Sequence, residues 1–178
     1  MKTISPYLVT KLYAWTVNDV NVIFDSCFKW NHERGRWEGP SSTFSMLLAA
    51  LIETWGSVIN DKFGESGNSD RNVKVILRKI CELDRGKNKK YYLIFDDDND
   101  TIKKEATELF RHNLIHNFGK KPKGIEFDLN IDTERLGMNL QEDNNRWHIN
   151  CKKLKEDFLN VLRLELPTLL SEENQDRF

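Results

Sequence analysis

The longest apolar run of the chain lies in residues 41–59, SSTFSMLLAALIETWGSVI. Its apolar residues cover almost the whole circumference of a helix, a pattern typical of a helix at the centre of a protein. Ser41 and Ser42 offer side-chain oxygens that can cap its N-terminus. From Phe44 to Ile59 the run contains Glu53 and is shorter than the roughly 20 residues that a membrane span needs. The stretch therefore predicts the central helix of a globular protein.

The helical period recurs on both sides of this stretch. Apolar residues spaced at i, i+3 and i+4 predict further helices over about residues 16–29, 73–83, 101–117 and 151–170. Pro167 is expected to end or kink the last of them, because proline lacks the backbone N–H that continues a helix. The spacing thus predicts a bundle of about five helices.

One segment follows a different period. Residues 125–131, IEFDLNI, alternate apolar and polar side chains and predict a strand. Residues 146–150, RWHIN, are expected to pair with it, with a turn at residues 141–145, QEDNN. The fold class is therefore mainly α, with a small β-hairpin inserted at about residues 124–150, before the C-terminal helix.

Composition limits the class of protein further. The chain has 178 residues, 39% of them hydrophobic and 11% aromatic, which fits a single domain over residues 1–178 with one sizeable core. A formal net charge of -1 provides no global positive field for nucleic acid. The three cysteines are far apart and odd in number, so they are interpreted as reduced core residues. The N-terminus has no secretion signal, and together these features predict a cytoplasmic protein without a membrane contact.

The predicted helix over residues 101–117 carries the strongest functional pattern, LFRHNLIHNF at residues 109–118. At 100° per residue, Arg111, His112, Ile115 and His116 fall on the side opposite the apolar core stripe. Arg111 and His116 point about 140° apart, so they cannot form a tight pair on one straight helix. They can bracket one substrate if a second copy of the helix packs antiparallel against this side, with Ile115 in the contact. A homodimer is therefore expected.

These side chains suit RNA cleavage without a metal. The guanidinium of Arg111 matches a phosphate, and the imidazole of His116 titrates near neutrality, so it can move a proton to or from a ribose oxygen. His112 and Asn113 would support them by hydrogen bonding. The lysines that follow would hold the RNA backbone; they are Lys120, Lys121 and Lys123. The hypothesis is an RNA-cleaving site with Arg111 and His116 as catalytic residues.

The phrase ELFRHNLIHNF, residues 108–118, resembles the HEPN superfamily, whose signature is an Arg, often followed by a polar residue, with a His after four to six intervening residues. Arg111, the polar His112 and His116 match this signature. The resemblance implies a helical bundle, a homodimer with both motifs in one cleft and, in active members, metal-independent endoribonuclease activity. It also implies a toxin or phage-defence role, with an antitoxin or other protein as partner. Some toxin members carry Tyr two residues after the His, where this chain has Phe118.

A metal site is the weaker interpretation of the same helix. His112 and His116 are spaced at i, i+4 and could share an ion, with Glu108 or Glu105 as a third ligand. No cysteine cluster or further histidine lies near them in the sequence, so the ligand count is low. Neither a metal nor another cofactor is predicted.

Two alternatives remain open. Glu53, within an apolar helix, needs a polar partner, and Arg or His from the motif helix is one option; a partly exposed edge position is the other. The Arg and His side chains can equally belong to an ordinary solvated helix face. In that case the chain is a non-catalytic HEPN-like module that binds a protein or nucleotide partner, or a helical dimer without chemical activity.

Overall fold

The computed structural model describes residues 4–61, 63, 65, 67–83, 125–128, 138–141 and 146–171. This part of the chain is mainly helical, as predicted. Its helices are α1 (Pro6–Cys27), α2 (Ser41–Ile59), α3 (Ser69–Leu83) and α4 (Cys151–Leu169). Its strands are β1 (Lys29–Asn31), β2 (Arg36–Glu38), β3 (Ile125–Asp128), β4 (Met138–Gln141) and β5 (Arg146–Asn150). The predicted helix over residues 101–117 lies outside the described residues.

Helix α2 is the central helix, as its composition predicts. It packs against α1, α3 and α4, and all four helices contribute to one apolar core. The fully buried side chains of largest volume are Trp55, Phe44, Phe158, Leu48, Ile52, Ile76, Leu77 and Ile80. The helix begins at Ser41 with Pro40 in the N-cap position and no side-chain cap, so the prediction of a serine cap is wrong.

Helix α1 begins at Pro6, well before the predicted start at about residue 16. Ser5 is its N-cap, and the hydroxyl of Ser5 accepts a hydrogen bond from the backbone N–H of Leu8 at 3.3 Å. Pro6 opens the helix, where its missing N–H costs nothing. The first turns escaped the prediction because their apolar residues do not follow one buried stripe; Tyr7, Leu8 and Trp15 are exposed.

Two helices approach closely where α2 crosses α3. A Cβ atom added at Gly56 would collide with the backbone carbonyl of Asn72. Only glycine therefore permits the backbones to come this near. The contact fixes the end of α2 against the beginning of α3, and Asn72 is buried there.

The strands before α4 form a three-stranded sheet in the order β3–β5–β4. The predicted pairing of β3 with β5 exists, with Ile125 opposite Trp147, but the two strands are parallel, so they are not a hairpin. The antiparallel partner of β5 is β4, with Met138 opposite Ile149. The alternation of apolar residues indicates a strand but carries no information about strand direction. Parallel neighbours also need the longer connection that residues 129–145 provide.

Helix α4 follows β5 directly. The side chain of Asn150 is its N-cap and accepts a hydrogen bond from the backbone N–H of Lys153 at 3.0 Å. The helix continues past Pro167 to Leu169, so the proline does not end it. Among the helices that the structure describes, none combines the length and apolarity that crossing a membrane requires.

The cysteines differ in their surroundings. Cys151 is buried at the start of α4, as predicted for a reduced core residue, and its thiol is free. Cys27 is also free, but it is exposed at the end of α1, so its assignment to the core is wrong. The reason is that α1 ends here and Phe28, the next residue, fills the core instead.

Candidate functional site

The predicted catalytic helix lies outside the residues that the structure describes. This holds for Arg111, His112, Asn113 and His116, and also for the three lysines after them, Lys120, Lys121 and Lys123. Their roles stay predictions. Of the predicted site residues, the structure describes Glu53 alone, so it brings none of the others together.

Glu53 lies on the central helix α2, next to the fully buried Ile52. Its side chain is half-buried and has an interaction partner within the protein. Removing a carboxylate from water in part is costly unless a polar group compensates it, and here one does. Glu53 is therefore neither an isolated core charge nor a fully solvated one.

A hairpin that the sequence analysis missed connects α1 to α2. Strands β1 and β2 pair antiparallel, with Lys29 opposite Glu38, Trp30 opposite Trp37 and Asn31 opposite Arg36. The side chain of Asn31 accepts hydrogen bonds from the backbone N–H groups of Glu33 and Arg34, both at 3.0 Å. Gly35 has a φ of 57°, a conformation in the turn that glycine adopts without strain. We call residues 29–38 the Trp hairpin.

The two tryptophans of the Trp hairpin contact each other across the strands. The ring centroids of Trp30 and Trp37 are 5.8 Å apart, with an angle of 71° between the ring planes. Trp37 is half-buried and packs on Phe24 of the core, with ring centroids 6.1 Å apart. Trp30 is 43% exposed. The pair therefore anchors the hairpin and leaves one indole accessible from solvent.

Cations surround this indole pair. Arg34 and Arg36 share the carboxylate of Glu38, at 3.1 Å and 3.7 Å respectively. On α4, the ammonium of Lys152 lies 5.4 Å from the ring centroid of Trp37. Cross-strand partners point to the same face of a two-stranded sheet, so Arg36 lies on the face opposite the tryptophans and Lys152 on the same side as Trp37.

This arrangement has the components of a single-stranded nucleic-acid interface. An exposed indole can stack on a base, and nearby ammonium or guanidinium groups can bind its phosphates. The two tryptophans on either side of a charged, glycine-containing turn, WNHERGRW at residues 30–37, are a sequence signal that could have identified it. The Trp hairpin is the described surface whose chemistry fits RNA best.

A groove between α3 and α4 offers less chemistry. Its volume is about 580 Å³, and it is lined by Lys79, Glu82, Leu83, Val161, Leu164 and Glu165. The ammonium of Lys79 donates to the carboxylate of Glu165 at 2.7 Å, so the strongest cation in the groove is already neutralised. With Glu82 added, the groove has no excess positive charge with which to bind a phosphate.

A search for metal-binding clusters covered the same part of the chain. Within the ranges given above, no three side chains among His, Cys, Asp and Glu come together as ligands. Comparisons of the chain with protein-family models, with curated proteins and with solved structures gave no match. The resemblance to the HEPN superfamily therefore rests on the motif residues 108–118 alone.

Proposed function

We propose that the chain is a metal-independent endoribonuclease of the HEPN type that acts as a homodimer. The observation that carries the proposal is the motif itself: Arg111, His112 and His116 share the non-core side of one predicted helix in a mainly helical protein. A toxin or phage-defence role, with an antitoxin or other protein as partner, is part of the same proposal.

The reaction needs two proton transfers and one stabilised charge. His116 of one copy takes the proton from a ribose 2′-hydroxyl, and the 2′-oxygen attacks the adjacent phosphorus. The bond from phosphorus to the 5′-oxygen breaks, and a protonated His116 of the second copy gives its proton to that oxygen. Arg111 neutralises the charge that builds on the phosphate. The products are a 2′,3′-cyclic phosphate end and a 5′-hydroxyl end.

Two described features support this proposal. The Trp hairpin provides an exposed indole with Arg34, Arg36 and Lys152 nearby, which is a surface suited to a single strand of RNA. Glu53 is half-buried on the central helix and has a polar partner, as a carboxylate that orients a catalytic cation would. Both features are compatible with an RNA-cleaving site but do not by themselves require one.

The experiment is an RNA cleavage assay in EDTA. Wild-type protein should cut single-stranded RNA, and Arg111→Ala or His116→Ala should each lower the rate by about 10²–10⁴-fold, the usual contribution of a positioned acid–base group. His112→Ala should have a smaller effect because its role is supporting. Arg71→Ala is the matched control, since Arg71 is exposed on α3 and away from the motif. RNA left intact by the wild type, or cut equally by both variants, would refute the proposal.

A non-catalytic HEPN-like binding module is the second candidate. The net charge of -1 favours it, because nucleases that act on bulk RNA tend to have a more basic surface. In the same assay this candidate predicts intact RNA for every variant. Retention of RNA or of a nucleotide on the wild-type protein, reduced by Arg111→Ala, would then identify the ligand class.

A further inference from the structure

Helix α1 exposes an apolar stripe on the side away from the core. Tyr7 is 66% exposed, Leu8 41%, Trp15 58% and Val22 54%. The opposite side of the same helix provides buried core residues, among them Val20. Large apolar side chains gathered on one exposed face mark an interaction surface more often than scattered ones do.

The stripe has a regular period. Leu8, Trp15 and Val22 recur every seven residues, so at 100° per residue they lie within an arc of about 40°. Lys11 and Asp19 lie about 40° to either side of Trp15. This is the pattern of a helix that packs lengthwise against another helix, with an apolar seam and charged flanks.

The order of residues is self-complementary about Trp15. We propose that α1 binds α1 of a second copy in antiparallel orientation, with Trp15 at the two-fold axis. In this register Leu8 lies opposite Val22 of the second copy, and Tyr7 opposite Ile23, because each pair is equally far from Trp15 along the helix. An isologous interface requires such matching of a surface with itself.

Charge supports a second copy of this chain as the occupant. The same register brings Lys11 level with Asp19 of the second copy, so the one cation on the seam meets an anion twice in the dimer. The ammonium of Lys11 lies 4.7 Å from the ring centroid of Tyr7, which keeps it at the edge of the stripe. From Tyr7 to Ile23 the contact would extend about 24 Å at 1.5 Å per residue.

This interface does not depend on the ribonuclease proposal. It involves α1, whereas the proposed cleavage depends on Arg111 and His116 in another helix. Cross-linking and cleavage can therefore be measured separately on the same preparations.

The test is cysteine cross-linking in the full chain. In a Cys27→Ser background, which removes the exposed native thiol, Leu8→Cys and Val22→Cys variants are prepared and mixed under mild oxidation. The mixture should form a disulfide-linked dimer, whereas either variant alone should not. The reason is that identical positions would lie about 21 Å apart along an antiparallel pair, and a disulfide needs Cα atoms within about 7 Å. The Cys27→Ser chain alone gives the background.

A second substitution tests the seam. Trp15→Asp in both partners should lower the yield of the mixed cross-link by at least about tenfold, since it places two carboxylates at the two-fold axis. Thr10→Asp, an exposed position of α1 away from the stripe, should leave the yield unchanged. Circular dichroism confirms that each variant is folded.

The results separate the two proposals. No cross-link in the mixture, or equal cross-linking of a single variant with itself, overturns the antiparallel α1 interface. Cross-linking that persists in a protein without RNA cleavage supports the interface and counts against the nuclease. Cleavage that depends on Arg111 in a protein without the cross-link does the reverse.

Discussion

Helices α1 and α2 are both rich in apolar residues, yet they use them differently. Trp55 of α2 is buried, and its indole N–H donates to the hydroxyl of Thr16 on α1 at 2.9 Å. Trp15, the immediate neighbour of Thr16, points outward and is exposed. The comparison shows that α1 has two separate apolar surfaces, one for the core of its own chain and one facing solvent.

The largest expected effect is the difference between these two tryptophans. Trp55→Ala should lower the free energy of unfolding by about 3–5 kcal/mol, because it empties a fully packed site in the core. Trp15→Ala should change it by no more than about 0.5 kcal/mol in dilute protein, where no second copy contributes. Urea denaturation of both variants measures the difference. Equal losses would show that Trp15 also packs within its own chain.

Gly56→Ala is expected to have the next largest effect. The added Cβ would collide with the carbonyl of Asn72, so α2 and α3 must separate, at a cost of about 1–3 kcal/mol. Helix propensity alone predicts the opposite sign, since alanine is favoured over glycine by about 1 kcal/mol. Ala50→Gly at an exposed position of α2 measures that propensity in the same helix. An increase in stability for Gly56→Ala would contradict the close approach.

The polar link between the two helices is expected to have a similar or smaller effect. Thr16→Val keeps the shape of the side chain but removes the acceptor for the Trp55 indole, leaving a buried N–H without a partner. The expected loss is about 1–3 kcal/mol. Thr10→Val is the control, because the Thr10 hydroxyl donates to the carbonyl of Pro6 at an exposed position of the same helix. Thermal unfolding of the two variants should differ; identical midpoints would mean that this hydrogen bond contributes nothing.

The sequence predicts those helices best whose apolar residues all face the core. The periodic residues of α2, α3 and α4 place each helix close to its observed range. For α1 the prediction began too late because Tyr7, Leu8 and Trp15 belong to the outer stripe and blur the period. Exposure to a second surface cannot be separated from burial in the first by hydrophobicity alone.

The β elements show a second limit. Strands of three residues, such as β1 and β2, are too short for alternation to be recognised, and the cross-strand Trp pair becomes apparent only from the register. The direction of β3 relative to β5 depends on the connection between them and not on the residues of the strands. For the candidate site, the sequence supplies the identity of Arg111 and His116 and their angular separation on one helix. Whether two copies bring them together depends on packing between chains, which periodicity does not encode.

The proposed chemistry meets its most direct test in a pair of matched RNA substrates. One is all-ribose, and the other carries a single 2′-deoxynucleotide at the mapped cleavage position. In EDTA, wild-type protein should cut the first substrate to a 2′,3′-cyclic phosphate end and leave the second intact, because the nucleophile is the 2′-oxygen. Cleavage of the deoxy-substituted RNA at the same position and rate would contradict the mechanism, as would an all-ribose substrate that stays whole.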